Sequence, residues 1–343
     1  MTPSRKPFEH AAAWYSRDFR SKDDMAVELK GRHVDALLRA LAHAKAQARP
    51  LDGMTAQHFP LDGIGDEVAA WRREVCEGRG LLLLRGLPVE RLSVDDAGLM
   101  YFGLGLHFGR PVSQSNMGDL LGHVVNVGGQ DRRERAYRNS RELHLHTDRC
   151  DHVAMLCLKP ARAGGVSGYA SALTVHNEIL ATRPDLLEAL YAGYYLHRFG
   201  EQPPGEPPVT SIRIPIFSVT DGVPCVIYIR GYIDLAEEEG RCALTPLERE
   251  ALTVFEAVSN RPDVRFNFTL EAGEATFFNN CLVLHTRTAF EDHPEPQRRR
   301  HLLRLWLMEE GRPAAAGVRL HKGEGGITPL PGKGTYYAGR TDG

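Results

Sequence analysis

Residues 274–287 read Glu-Ala-Thr-Phe-Phe-Asn-Asn-Cys-Leu-Val-Leu-His-Thr-Arg. Successive side chains of a strand point to opposite faces, so residues two apart share one. An extended segment from Thr276 to Arg287 then sets Phe277, Asn279, Cys281, Val283 and His285 together. That face is mainly apolar and ends in an imidazole. The stretch is joined through Glu271-Ala272-Gly273 to another strand-like run, Val264–Leu270. A histidine closing an apolar strand face is usually a satisfied core residue, so its meaning depends on what it meets.

Other segments agree on the architecture. Gly80-Leu81-Leu82-Leu83-Leu84-Arg85-Gly86 reads as a buried strand between glycines. Val153–Leu158 is an apolar run closed by Pro160, and Arg300–Met308 is a last strand. Ile212–Ser218 and Val223–Ile229 flank Asp221-Gly222, a hairpin signal. Helical spacing covers Asp66–Gly78, with Val68, Trp71 and Val75 on one side, and Ser93–Leu106, with Asp95 and Asp96 in its first turn. Thr174–Tyr191 reads as a helix interrupted near Pro184. Thr245-Pro246-Leu247-Glu248 combines a capping box with proline at the first helical position, and starts a helix running to Ser259. No glycine-rich loop lies between a strand and a helix, which argues against a doubly wound nucleotide fold. The expectation is a mainly β protein with flanking helices (α+β) and a closed or sandwiched β core. Residues 1–79 form an N-terminal helical flank or lid, 80–310 the β domain with an inserted helical segment, and 311–343 a C-terminal tail.

Composition excludes several classes. The formal charge is -2 over 343 residues, and the only compact basic run is Arg298-Arg299-Arg300. A nucleic-acid binder draws its affinity mainly from phosphate neutralisation, so that role is not expected. Met1-Thr2-Pro3-Ser4-Arg5-Lys6 is not followed by an apolar stretch, and runs such as Leu81–Leu84 fall far below the ~20 residues of a membrane span. Six cysteines without a CxxC pair, several inside apolar runs, read as reduced and buried thiols. These features point to a cytoplasmic protein with no nucleic-acid or membrane partner.

The chemistry is concentrated in three places. His146-Thr147-Asp148 would project an imidazole and a carboxylate to one side of a strand. If His285 meets them, the set becomes two histidines and one carboxylate, a facial triad that suits Fe(II) and leaves positions open. Arg300, Leu302, Arg304 and Trp306 share a face of the last strand. Arginines on an inward apolar face are costly without anionic partners, and the guanidinium fork matches a carboxylate. A competing zinc set, His144, His146 and His152, has no cysteine at finger spacing and no His-Glu-x-x-His helix beside it.

In order and spacing, four motifs resemble the Fe(II)/2-oxoglutarate dioxygenases of the taurine dioxygenase (TauD/TfdA) family: His146-Thr147-Asp148, Gly164-Gly165-Val166-Ser167, Asn279-Asn280-x-x-x-Leu284-His285 and Arg300-x-x-x-Arg304. The resemblance spans roughly residues 80–310. It implies a double-stranded β-helix (jelly-roll) core, with Fe(II) on His146, Asp148 and His285, and with 2-oxoglutarate and O2 as co-substrates. Arg300 then pairs with the distal carboxylate of 2-oxoglutarate, with Arg299 the alternative, because the stretch after His285 is longer than in taurine dioxygenase. Ser167 bonds the same carboxylate. Arg304 reaches the C1 carboxylate region or an anionic substrate.

Hydrogen abstraction, then hydroxylation with release of succinate and CO2, is the implied reaction; desaturation or cyclisation can follow the same abstraction. Asp148 disfavours halogenation, since halogenating relatives carry a small residue there. Substrate-contact candidates are Gln114, Asn116, Asn139 and Arg230, the last because a charge closing an apolar strand wants an anion, which suggests a carboxylate-bearing substrate. A non-catalytic, cupin-like binding protein is the alternative from another class. The resemblance leaves a homo-oligomer open.

Overall fold

A computed structural model describes residues 3–127 and 139–330. It has a mixed α+β architecture built on two β-sheets. The larger sheet runs in the order Ala26–Glu28, Leu81–Arg85, Glu274–Asn279, His152–Lys159, His301–Met308 and Arg110–Pro111, with Gly122–Val124 also paired to His301–Met308. The smaller sheet runs Arg265–Phe268, Ser167–Ser171, Val283–Arg287, Leu143–His146.

The central strands of the larger sheet are apolar on both faces because both are covered. Leu82, Leu84, Ala154, Leu156, Leu303, Leu305 and Leu307 pack with residues of the helices Gly31–Gln47, Gly65–Cys76 and Val94–Gly105. The alternate residues Leu81, Leu83, Val153, Cys157, Leu302 and Trp306 pack with Tyr169, Phe266, Phe268 and Val283 of the smaller sheet. A third cluster joins the helices Ala172–Thr182, Leu187–Ala192 and Pro246–Ser259 around Tyr194, Phe217 and Tyr228. The site grows from the layer between the sheets.

Local chemistry explains the element ends. Ser93 Oγ accepts from Asp96 N at 3.0 Å, and Thr245 and Glu248 exchange the two bonds of a capping box. The helix expected over 174–191 divides into Ala172–Thr182 and Leu187–Ala192, with a 3₁₀ turn from Pro184 between them, where proline cannot donate to the preceding turn. Asp221 (φ 50°) and Gly222 (φ 79°) join the paired strands Phe217–Thr220 and Val223–Val226, the left-handed geometry such a hairpin turn requires.

Two expectations need correction. The stretch 274–287 is not one strand. Glu274–Asn279 belongs to the larger sheet and Val283–Arg287 to the smaller, with a turn at Asn280–Leu282. Alternation does not carry through that turn, so Phe277 packs in the helical layer beside Phe108 while His285 lies against Phe278. The strand beginning at Val223 stops at Val226, and Arg230 opens a helix, Arg230–Glu238. At the C-terminal end, Ala316–Lys322 is a helix with Val318, His321 and Lys322 buried, and Ile327 N donates to Ser113 O at 2.9 Å. All six cysteines are free, four of them buried.

Candidate metal centre

The smaller sheet brings His146 and His285 together. They are direct partners in the antiparallel pairing of Leu143–His146 with Val283–Arg287, and their ring centroids lie 4.2 Å apart. Asp148 reaches the same point by another route than a continuing strand. The strand ends at His146, and Thr147 is fixed by Tyr228, with Thr147 N donating to Tyr228 O at 2.8 Å and Tyr228 N to Thr147 Oγ1 at 2.9 Å. Asn280, in the turn before the His285 strand, then clamps the next residues. Its Oδ1 accepts from Asp148 N at 2.8 Å, and its Nδ2 donates to Asp148 O at 2.8 Å and Cys150 O at 2.7 Å.

Nε2 of His146 lies 3.8 Å from one Asp148 oxygen and Nε2 of His285 3.6 Å from the other. The three donor atoms all lie within 4.8 Å of one another. His146 Nδ1 meets the His144 carbonyl at 2.8 Å, which assigns the proton there and leaves the Nε2 lone pair facing the centre. Burial, and then the neighbouring His285, pull His146 down to about 4, so the ring is neutral as a ligand must be. Burial alone would push the Asp148 carboxyl up, but Arg304 and the two imidazoles outweigh it and hold it well below the usual carboxylate range. Trp306 Nε1 donates to Asp148 Oδ2 at 2.8 Å, orienting the carboxylate. Two neutral imidazoles and one oriented carboxylate on one side of a shared point fit a divalent iron and leave its other side open.

That open side is a narrow cavity. His146, His285, Ser167, Arg287, Arg300 and Arg304 line it, with an apolar wall that includes Tyr169 and Phe278. Arg300 is 4% exposed and its Nη1 has no hydrogen-bond partner among the described residues. Arg299 is exposed, so the inward arginine is Arg300. Gly165 is needed at φ 68°, and a Cβ there would come within 3.3 Å of Arg300 Nε. Arg304 Nη1 lies 3.5 Å from Asp148 Oδ2, and its Nε donates to Gln114 Oε1 at 2.8 Å.

The four substrate-contact candidates are not brought into this cavity. Gln114 is a support for Arg304: besides accepting from its side chain, Gln114 Nε2 donates to the Arg304 and Leu120 carbonyls at 2.9 and 3.1 Å. Asn116 accepts from Leu330 N at 2.8 Å through its backbone, and Asn139 Oδ1 accepts from Arg141 N at 3.0 Å. Arg230 already has its anions, Asp234 at 2.7 Å and Glu256 at 3.0 Å. The zinc set does not assemble either. His144 is exposed, and His152 lies with Cys76 and Glu309 instead, 3.7 Å from the thiol and 3.4 Å from the carboxylate. The sequence reading missed Arg287, two residues beyond His285 and therefore on its face. The alternation that marked Arg300 and Arg304 would have found it.

Comparison with known proteins gives the family and the fold. The family model "Taurine catabolism dioxygenase TauD, TfdA family" matches residues 47–306. The chain is 29% identical to FR-33289 synthase of Streptomyces rubellomurinus over 325 residues, covering 93% of this chain and 95% of that one. It is 26% identical to the taurine hydroxylase-like protein SAT17 of Stachybotrys chartarum, covering 87% and 79%. Among solved structures, an asparagine oxygenase in complex with Fe(II), 2S,3S-3-hydroxyasparagine and succinate aligns with a TM-score of 0.65 at 19% identity, covering 83% of this chain and 93% of that one. The non-heme iron oxygenase OrfP in complex with Fe and alpha-ketoglutaric acid aligns with a TM-score of 0.61 at 12% identity, covering 82% and 94%. Among the described residues, no helix is long and apolar enough to cross a membrane. The chain belongs to the TauD/TfdA family and is a dioxygenase dependent on Fe(II), 2-oxoglutarate and O2.

Proposed function

We propose that His146, Asp148 and His285 hold the iron, that Arg300 and Ser167 bind the distal carboxylate of 2-oxoglutarate, and that the enzyme hydroxylates a small, carboxylate-bearing substrate. The observation that carries this reading is the cavity itself. A two-histidine, one-carboxylate set opens onto a cavity also lined by Arg300, whose buried Nη1 has no hydrogen-bond partner among the described residues. When bound, iron and 2-oxoglutarate supply O2 activation and hydrogen abstraction, with release of succinate and CO2.

The chain's own residues bind, orient and exclude water. Trp306 and Arg304 hold the Asp148 carboxylate ionised and in one rotamer. Arg304, tied between Asp148 and Gln114, would lie beside a metal held by Asp148, where it would serve the C1 carboxylate region or an anionic substrate group. Tyr169, Phe278 and Met155 supply apolar wall and keep the pocket dry. The two facing sheets are read as the halves of a double-stranded β-helix.

Arg230 no longer supports an acidic substrate, because its charge is matched by Asp234 and Glu256. Support comes instead from the excess of guanidinium in the cavity and from the hydroxylated amino acids in the neighbours: 3-hydroxyasparagine in the asparagine oxygenase and (3S)-hydroxy-L-Arg in OrfP.

The test is anaerobic reconstitution with Fe(II) and 2-oxoglutarate, followed by the visible charge-transfer band of the chelate. The band is expected in wild type, abolished in His146→Ala and weakened in Arg300→Ala. Folded, iron-loaded protein without the band would overturn the assignment.

A further inference from the structure

We propose that Arg287 is a second guanidinium anchor for the distal carboxylate of 2-oxoglutarate, so that this end of the pocket is a two-arginine anion site; the proposal rests on the co-substrate reading above. Arg287 is 5% exposed and lines the same cavity as Ser167 and Arg300. In the pairing of Val283–Arg287 with Ser167–Ser171 it sits directly opposite Ser167. The guanidinium carbons of Arg287 and Arg300 each lie 4.8 Å from the centre of the Phe290 ring, so one aromatic ring packs against both cations.

The bonding of Arg287 is incomplete in a directed way. Nη2 donates to the carbonyls of Asn139, at 3.1 Å, and Arg141. Nε and Nη1 are buried without a partner among the described residues. Neither Arg287 nor Arg300 forms a side-chain ion pair within 4 Å among those residues, although most arginines in the fold do. An arginine side chain stays protonated in proteins, so Arg287 brings a cation to this end of the cavity. Two buried guanidiniums packed on one ring with no ion-pair partner among the described residues are costly, and an anion between them would relieve both. A planar carboxylate accepting from both forks and from the Ser167 hydroxyl has the chemistry this end requires.

A structural role for Arg287, clasping the Asn139 and Arg141 carbonyls, makes a different prediction from an anchoring role. An anchor touches only the distal carboxylate, so its loss must spare a keto acid that lacks one. The experiment is an anaerobic titration of the Fe(II)-loaded full chain with 2-oxoglutarate and, separately, with 2-oxobutanoate, which has the same chelating head. Wild type, Arg287→Gln and Arg287→Lys are compared, with thermal unfolding of each. Arg287→Gln is expected to weaken 2-oxoglutarate by roughly 10- to 100-fold, the scale of a lost charge-assisted bond, and to leave 2-oxobutanoate within about twofold. Arg287→Lys, which keeps the charge but not the fork, falls between and keeps the question answerable if the glutamine variant does not fold. Equal loss for both acids, or no loss for either, overturns the role of Arg287 alone. A wild type that binds no 2-oxoglutarate overturns the co-substrate reading as well.

Discussion

His146 and His285 are direct partners across two antiparallel strands, with their rings 4.2 Å apart at the open end of the smaller sheet. Residues directly opposite in such a pair have their side chains closest, so two imidazoles can share one ion without any loop having to close. Only the carboxylate arrives from outside the strands. Its position therefore depends on the residues that hold the turn at Asp148, Asn280 and Trp306 among them.

Trp306→Phe removes the N–H that reaches Asp148 Oδ2 at 2.8 Å while keeping an aromatic ring, though a smaller one, at this buried position. Outer-shell partners of a ligating group are typically worth roughly 10- to 100-fold in metal affinity. The variant should fold and lose iron affinity on that scale in a competition titration against a chromophoric chelator. Unchanged affinity would mean that Arg304 alone orients the carboxylate.

Asn280→Ala removes three buried hydrogen bonds, to Asp148 N, Asp148 O and Cys150 O. The loss should cost about 2–4 kcal/mol of stability, since each bond contributes about 1 kcal/mol and the groups left behind are buried. Chemical denaturation measures the first effect, and iron titration of the folded fraction measures the accompanying loss of metal affinity.

Gly165→Ala meets two obstacles at once, a φ of 68° and a contact 3.3 Å from Arg300 Nε. The substitution should raise the KM for 2-oxoglutarate with less effect on iron binding, because the crowding is directed at Arg300. Arg230→Gln is the contrasting case. It breaks partly exposed ion pairs to Asp234 and Glu256, and should change 2-oxoglutarate-dependent turnover by less than about twofold and stability by at most about 1 kcal/mol.

His152 and Glu309 give stability a pH dependence. Burial opposes charge on His152, yet the bonds to Cys76 and Glu309 win and raise it from 6.5 to about 9. Its contribution is fully present below pH 6.5 and is lost as pH rises through about 9. Glu309 is lowered from 4.5 to about 2, chiefly by His152, so its contribution is present above 4.5 and lost as pH falls through about 2. The difference in thermal stability between wild type and His152→Gln should therefore be greatest near pH 6 and shrink by pH 9. A constant difference would show that the imidazole is neutral in the folded protein.

Much of this molecule follows from local rules that operate on the sequence alone. The capping box at Thr245, the hairpin at Asp221-Gly222 and the break at Pro184 are decided within a few residues, and all three form where local chemistry puts them. His285 and Arg300 are also readable, as polar groups on otherwise apolar strands that need a reason to be inside, whereas Asp148 lies beyond the end of its strand. What only the tertiary structure decides is which charge lies opposite which. Arg230 and Arg300 look alike in sequence, each beside an apolar run. The fold sets Asp234 and Glu256 against the first and leaves the second facing the cavity. Gln114 reaches Arg304 from 190 positions away, and Asn280 turns what reads as one strand into two strands of different sheets. Alternation fixes the face a side chain takes along its own strand, but the partner across that face comes from distant sequence and is set by packing.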